Sequence, residues 1–159
     1  MHAALITISL LSSGISANSP VASLRLDGEG STFKVAITKQ APEGYAISID
    51  CVERCLKPIH YRDTTGDTPL GLFSRDQNSL IFSTWSGGSA YRVVVWSVAD
   101  YHIRKVAELS SRGRPDFMSG PDGVAVIQTY EADSSTDPLR RVRWTFANGR
   151  FVRSSANGS

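Results

Sequence analysis

Two aspartates, Asp116 and Asp122, stand six residues apart in RGRPDFMSGPDGVAVIQTY, residues 112–130 of a 159-residue chain. Closely spaced carboxylates are how proteins hold calcium, which needs about six to eight oxygens from a compact run of acids and carbonyls. Here Phe117, Met118, Ser119, Gly120 and Pro121 intervene. That breaks the pattern, so Asp122-Gly123 reads more simply as a turn launching the apolar run after it. Asp63 and Asp67 of DTTGD, with two threonine hydroxyls between them, form a better oxygen cluster, yet a polar turn accounts for them too. Spacing alone does not supply the geometry that a carboxylate pair needs for acid–base work.

The other reactive residues are as sparse. Beyond His2, the histidines are His60 and His102, each at the end of an extended run. Ser86 in WSGGS has glycine neighbours but sits between two strand-like segments, where Gly87-Gly88 makes a hairpin turn rather than a nucleophile elbow. Metalloprotease, phosphate-loop and dinucleotide motifs are missing. No catalytic, metal or cofactor residue is therefore assigned, and no cofactor is expected. Cys51 and Cys55 form CVERC. A tight turn can close that spacing into a disulfide, which is the expectation. The alternatives are free thiols, or half a zinc site with His60, which lacks the second close ligand pair usual for structural zinc.

Length, charge and composition bound the rest. The chain suits one domain with a real core, and 41% apolar against 20% charged residues argues against disorder. A net charge of +2 gives no reason to expect nucleic acid as a partner. MHAALITISLLSSGISA carries no Lys, Arg, Asp or Glu, and its apolar centre, Ala3 to Leu11, is shorter than the about 20 residues a bilayer span requires. It reads as a signal peptide over 1–17, with one domain over 18–159, no transmembrane segment after its removal, and a periplasmic or secreted destination.

Strand periodicity dominates that domain. Phe33, Val35 and Ile37 alternate with polar or small neighbours, as do Tyr45, Ile47 and Ile49. Val93 to Trp96 is apolar throughout, predicting a central strand covered on both faces. In TFANGRFV, Asn148-Gly149 predicts a type I′ hairpin that sets Phe146 opposite Phe151 and Trp144 opposite Arg153. At most a helical turn is expected near residues 51–57.

Internal similarity adds a period. PLGLFSRDQNSLIFSTW (69–85) aligns with PDFMSGPDGVAVIQTY (115–130), matching Pro69 to Pro115, Phe73 to Phe117 and Asp76 to Asp122; Asp27-Gly28 marks a fainter third copy. The second of these segments resembles the Pro-x-Phe-Ser-Pro-Asp-Gly plus strand motif of TolB-type β-propellers, and WSGGSAYRVVVWSVADYHIRKVAELS resembles the two strands that follow in such a blade. The Asp-rich loop is also similar to integrin-type FG-GAP repeats. The resemblance runs locally over about residues 69–154. It implies blades of three or four strands and a binding platform formed by loops at one end. The fold expected is all-β: antiparallel meanders arranged as a β-sandwich or barrel, or as an open stack of about three propeller-like blades.

With no catalytic set in view, the expected role is non-catalytic recognition of a protein or cell-envelope component. Large aromatic residues are the natural anchors, and the C-terminal arginines read either as a solvated edge or as an anion-binding patch; the residues expected at the binding surface are Trp85, Tyr91, Tyr101, Arg143 and Arg153, with Trp96 in the core. The alternative is a small secreted hydrolase, or an accessory domain of one, in which His60 or His102 must meet a carboxylate or hydroxyl in a cleft.

Overall fold

A computed structural model of the chain describes residues 19–28, 30–75 and 79–155. The segment read as a signal peptide lies outside them, as does Asp76 of the repeat. The described residues form twelve strands in three consecutive antiparallel meanders of four. The first sheet contains β1 (Ala22–Gly28), β2 (Ser31–Lys39), β3 (Tyr45–Glu53) and β4 (His60–Thr65). The second contains β5 (Thr68–Arg75), β6 (Leu80–Ser86), β7 (Tyr91–Ala99) and β8 (His102–Ser111). The third contains β9 (Asp116–Ser119), β10 (Ala125–Glu131), β11 (Arg140–Ala147) and β12 (Arg150–Ser155). None of the sheets closes into a barrel; each keeps two edge strands.

The sheets stack as layers, with the second in the middle. On one of its faces Ile81, Trp85, Val94, Trp96 and Val98 pack with Leu26, Phe33, Val35, Ile37, Ile47 and Ile49 of the first sheet. On the other, Leu80, Phe82, Val93, Val95 and Leu109 pack with Ala125 and Ile127 of the third. Successive side chains of a strand point to opposite faces, so the middle of β7 must be apolar at successive positions to serve both cores. The unbroken Val93–Trp96 run is that requirement written in sequence. The stack ends where a face turns polar: across the outside of the first sheet Arg25 lies opposite Lys34, Lys34 opposite Asp50, and Asp50 opposite His60.

The turns follow local chemistry. Asn148 and Gly149 both take positive φ, 52° and 74°, and the hairpin has the register expected, with Phe146 opposite Phe151 and Trp144 opposite Arg153. Asp100-Tyr101 makes the equivalent turn between β7 and β8, both residues again at positive φ. Pro121–Gly123 forms a short 3-10 turn in which Asp122 has φ 56°. It lies in the hairpin between β9 and β10, so it falls one strand inside the third sheet; the junctions between sheets are Gly66-Asp67 and Arg112–Pro115. Residues 51–57, expected to hold at most a helical turn, finish β3 and then bend without helix. Cys51 and Cys55 are disulfide-bonded across that bend, Cα–Cα 5.9 Å, tying the end of β3 to the loop before β4.

Candidate functional site

The layers separate at one end of the stack because two facing strands differ in length. β5 has eight residues and β9 has four, a difference of about 13 Å at the usual rise per residue. Phe117 of β9 meets Phe73 of β5 with ring centroids 4.7 Å apart, and Ser119 accepts a hydrogen bond from Arg75 at 2.8 Å. The short strand thus covers the later part of β5. Beside Leu70 and Gly71 the third sheet supplies only its incoming linker, Arg114-Pro115. The result is a cleft of about 400 Å³ lined by Leu70, Gly71, Phe73, Thr84, Tyr91, Arg114, Pro115 and Phe117.

Each wall has a local cause. The β5–β6 register slips between Pro69 and Gly71, so Leu70 is the extra residue of a bulge and stands 53% exposed at the rim. Gly71 leaves room for its neighbour: a Cβ there would come within 2.9 Å of Thr84 Oγ1, which would have to shift. Below the cleft, Phe73 stacks on Phe82 at 4.9 Å, and Phe117 meets Phe82 edge-on at 5.8 Å, giving a floor of aromatic rings. Thr84 and Tyr91 add hydroxyl groups, and Arg114 brings the only charged side chain among the described residues that line the cleft.

Around the same end, several charges satisfy one another. Arg92 binds Asp67 at 2.8 Å and Glu108 at 3.0 Å, and Lys105 binds Asp63 at 2.9 Å and Glu108 at 3.2 Å. Arg92 also donates to Thr65 Oγ1 at 2.6 Å, so the network joins the first and second sheets. The hydrogen bond from Lys105 holds the Asp63 carboxyl below its ordinary range; Arg92, then Lys105, do the same for Glu108. Partial burial opposes the charge on Lys105, but its bonds to Asp63 and Glu108 outweigh that and raise its pKa above the ordinary amine value. The two acids of DTTGD are thereby neutralised by separate cations, Lys105 and Arg92. The described residues offer no group of three or more His, Cys, Asp or Glu arranged to hold a metal ion, and no helix long and apolar enough to cross a membrane.

The residues expected at the binding surface do not converge. Trp85 is the clear correction: it is 1% exposed, on the face of β6 turned to the first sheet, with Nε1 donating to Ser83 Oγ at 2.7 Å. Its neighbour SGGS is a surface loop, but strand alternation carries the indole itself inward. Trp96 is buried, as expected. Tyr91 lines the cleft. Tyr101 lies at the opposite end of the stack, in a shallow groove of about 330 Å³ shared with Lys57, Tyr61, His60 and His102. Arg143 is exposed on the outer face of the third sheet, opposite Gln128. Arg153 lies on the edge strand, its guanidinium 5.8 Å from the Trp144 ring centroid and 2.7 Å from Glu131.

His60 pairs through Nδ1 with the Asp50 carboxylate, the orienting half of a general-base arrangement, on an open strand surface. Neither serine, threonine nor cysteine lines that groove among the described residues. The aspartates of the opening loop also part company. Asp122 belongs to the turn, while Asp116 accepts hydrogen bonds from Tyr130 Oη at 2.5 Å and Gln128 Nε2 at 3.2 Å.

Leu70, Thr84 and Arg114 had no motif to announce them. One signal was legible: a glycine inside a strand, Gly71 in PLGLF, marks a bulge or a close approach. Comparison of the chain with family models, with curated proteins and with solved structures gave no match.

Proposed function

We propose that this chain is an exported recognition domain that binds a protein or cell-envelope component in the cleft between its second and third sheets. The observation that carries the reading is the cleft itself: about 400 Å³, apolar and aromatic on most sides, with two hydroxyl-bearing residues and one guanidinium. Binding sites commonly have that composition, apolar walls for affinity and a few polar groups for orientation. Export is supported by the disulfide, since such bonds persist in oxidising compartments, and by the apolar N-terminal run. A propeller-like reading of each sheet is supported by three consecutive four-stranded meanders and by the contact between Phe73 and Phe117, the residues matched in the repeat.

The test is selection of peptides on the purified chain, with Leu70→Asp as the counter-target. Leu70 is exposed in a bulge, so the substitution puts a charge on the apolar cleft rim without disturbing a core. Selected peptides should bind the natural chain and lose at least tenfold on the variant. Peptides that bind both proteins equally would remove the cleft from consideration. The alternative, a small hydrolase, draws on the His60–Asp50 pair. It requires hydrolysis of a general ester substrate that disappears in His60→Ala.

A further inference from the structure

We propose that the cleft recognises the free C-terminus of a protein chain ending in an apolar residue. The inference rests on the reading of the cleft as a binding site and supplies the chemistry of its occupant.

Charge gives the first argument. Several acids at that end of the stack already have partners: Asp67 with Arg92, Asp63 with Lys105, Glu108 with both cations, Glu131 with Arg153, and Asp133 with Arg140 at 2.6 Å. Asp116 is occupied by Tyr130 and Gln128. Arg114 makes no ion pair or side-chain hydrogen bond among the described residues, is exposed, and lines a cleft that contains no acid. A guanidinium so placed selects an anion, and its planar fork matches a carboxylate with two parallel hydrogen bonds.

Shape and backbone give the second. The walls around Phe73, Pro115, Phe117 and Leu70 are apolar, so the carboxylate must come attached to an apolar group. The extra residue of the bulge falls outside the β5–β6 ladder, between the pairs Pro69–Trp85 and Gly71–Thr84. Leu70 also lies on an edge strand of the second sheet, the kind of strand to which an extended chain can add. A carboxylate, an adjacent apolar side chain and backbone hydrogen-bonding groups together describe a chain terminus. A free fatty acid or small aromatic acid provides the first two alone.

The experiment uses the purified chain and two pools of random heptapeptides, one with free and one with amidated C-termini. The free-acid pool should enrich sequences ending in Leu, Ile, Val or Phe. Amidating an enriched peptide should weaken it about tenfold or more, the size expected for a lost charged hydrogen-bonded pair. Arg114→Gln should abolish the difference between acid and amide, and Arg114→Lys should retain part of it. Arg114 has no partner to lose, so both variants should melt as the natural chain does. Equal binding of acid and amide by peptides that Leu70→Asp still rejects would overturn the terminus proposal while leaving the cleft as a site. Enriched peptides indifferent to Leu70→Asp would overturn both. Failure of the free-acid pool to enrich, or binding of dodecanoate and N-acetylphenylalanine as tightly as the best peptide, would overturn the terminus proposal.

Discussion

Replacing Phe82 with alanine asks whether the three sheets form one cooperative structure. Phe82 is 1% exposed; its ring stacks on Phe73 and meets Phe117 and Phe151 edge-on, with centroids at 4.9, 5.8 and 6.3 Å. Truncating a buried phenylalanine costs about 3–5 kcal/mol, more where the surroundings cannot collapse into the space. Here the neighbouring rings come from three different strands, β5, β9 and β12, each held by its own ladder, so a loss of about 4 kcal/mol is expected. With a urea m-value of roughly 2 kcal/mol/M, the unfolding midpoint should fall by about 2 M with m unchanged. The informative readout is tryptophan fluorescence in a Trp144→Phe background. The remaining indoles, Trp85 and Trp96, sit in the core between the first and second sheets, on the face of the second sheet opposite to Phe82. If the middle sheet couples the two cores, their signal shifts by the same 2 M. A transition at Trp85 and Trp96 that stays in place while the rest unfolds separately would refute the coupling. A total loss below about 1 kcal/mol would refute the packing argument. Phe82→Leu, at roughly 1–2 kcal/mol, keeps the comparison open should the alanine variant not fold.

Three further outcomes are expected. Trp96 is 1% exposed yet its Nε1 has no hydrogen-bond partner among the described residues; Trp96→Phe deletes a donor costing about 1–3 kcal/mol while losing some volume, so urea unfolding should place it within about 1 kcal/mol of the natural chain. A clearly larger loss would mean the indole is hydrogen-bonded after all. Asp63 and Glu108 have depressed pKa values, so their contribution is whole above the ordinary carboxylate range and is lost as pH falls through the depressed values; Lys105, shifted upward, contributes below the ordinary amine range and loses it as pH rises through its raised value. Glu108→Gln should therefore lose less stability than the natural chain below about pH 4, and melting curves with parallel acid limbs would contradict this. Finally, the Cys51–Cys55 bridge closes a loop of only five residues; Cys51→Ser/Cys55→Ser should cost at most about 2 kcal/mol on the chain-entropy model and keep the β circular dichroism signal. Loss of that signal would show the bridge to be a condition of folding.

How much of this was written in the sequence depends on which interaction fixes each element. Strands that alternate or that are apolar on both faces, β2, β3 and β7, were legible because one period and one burial demand determine them. The last hairpin was legible because Asn148-Gly149 has few other uses. β9 was hidden: Asp116–Ser119 is four residues of mixed polarity, a strand only because β10 offers it an edge. β4, from His60 to Thr65, has the polar composition of a turn and is held as a strand by pairing with β3. Trp85 was misread for a related reason. The glycines after it place the loop at the surface, but the face of β6 is set by Ile81 and Ser83, four and two residues earlier.

The candidate site was less legible than the fold because it arises from a mismatch between elements rather than from any motif. Residues with recognised chemistry, the aspartates of residues 63–67 and 116–122 and the pair His60–Asp50, are taken up by ion pairs, hydrogen bonds and turns. The cleft lies where β9 stops short, a bulge turns Leu70 out, and glycine with threonine leaves space between two sheets. None of those conditions can be read from one strand alone; each compares the length or register of one strand with another. The same reasoning indicates where recognition would be altered. Lengthening β9 toward Arg114 would cover Leu70 and Gly71 and close the cleft, whereas substitutions at Asp116 or Asp122 would change a hydrogen bond or a turn and leave the cleft walls in place. The number of residues between Arg112 and Phe117 therefore bears on the width of the cleft more directly than do the acids that first draw attention to that segment.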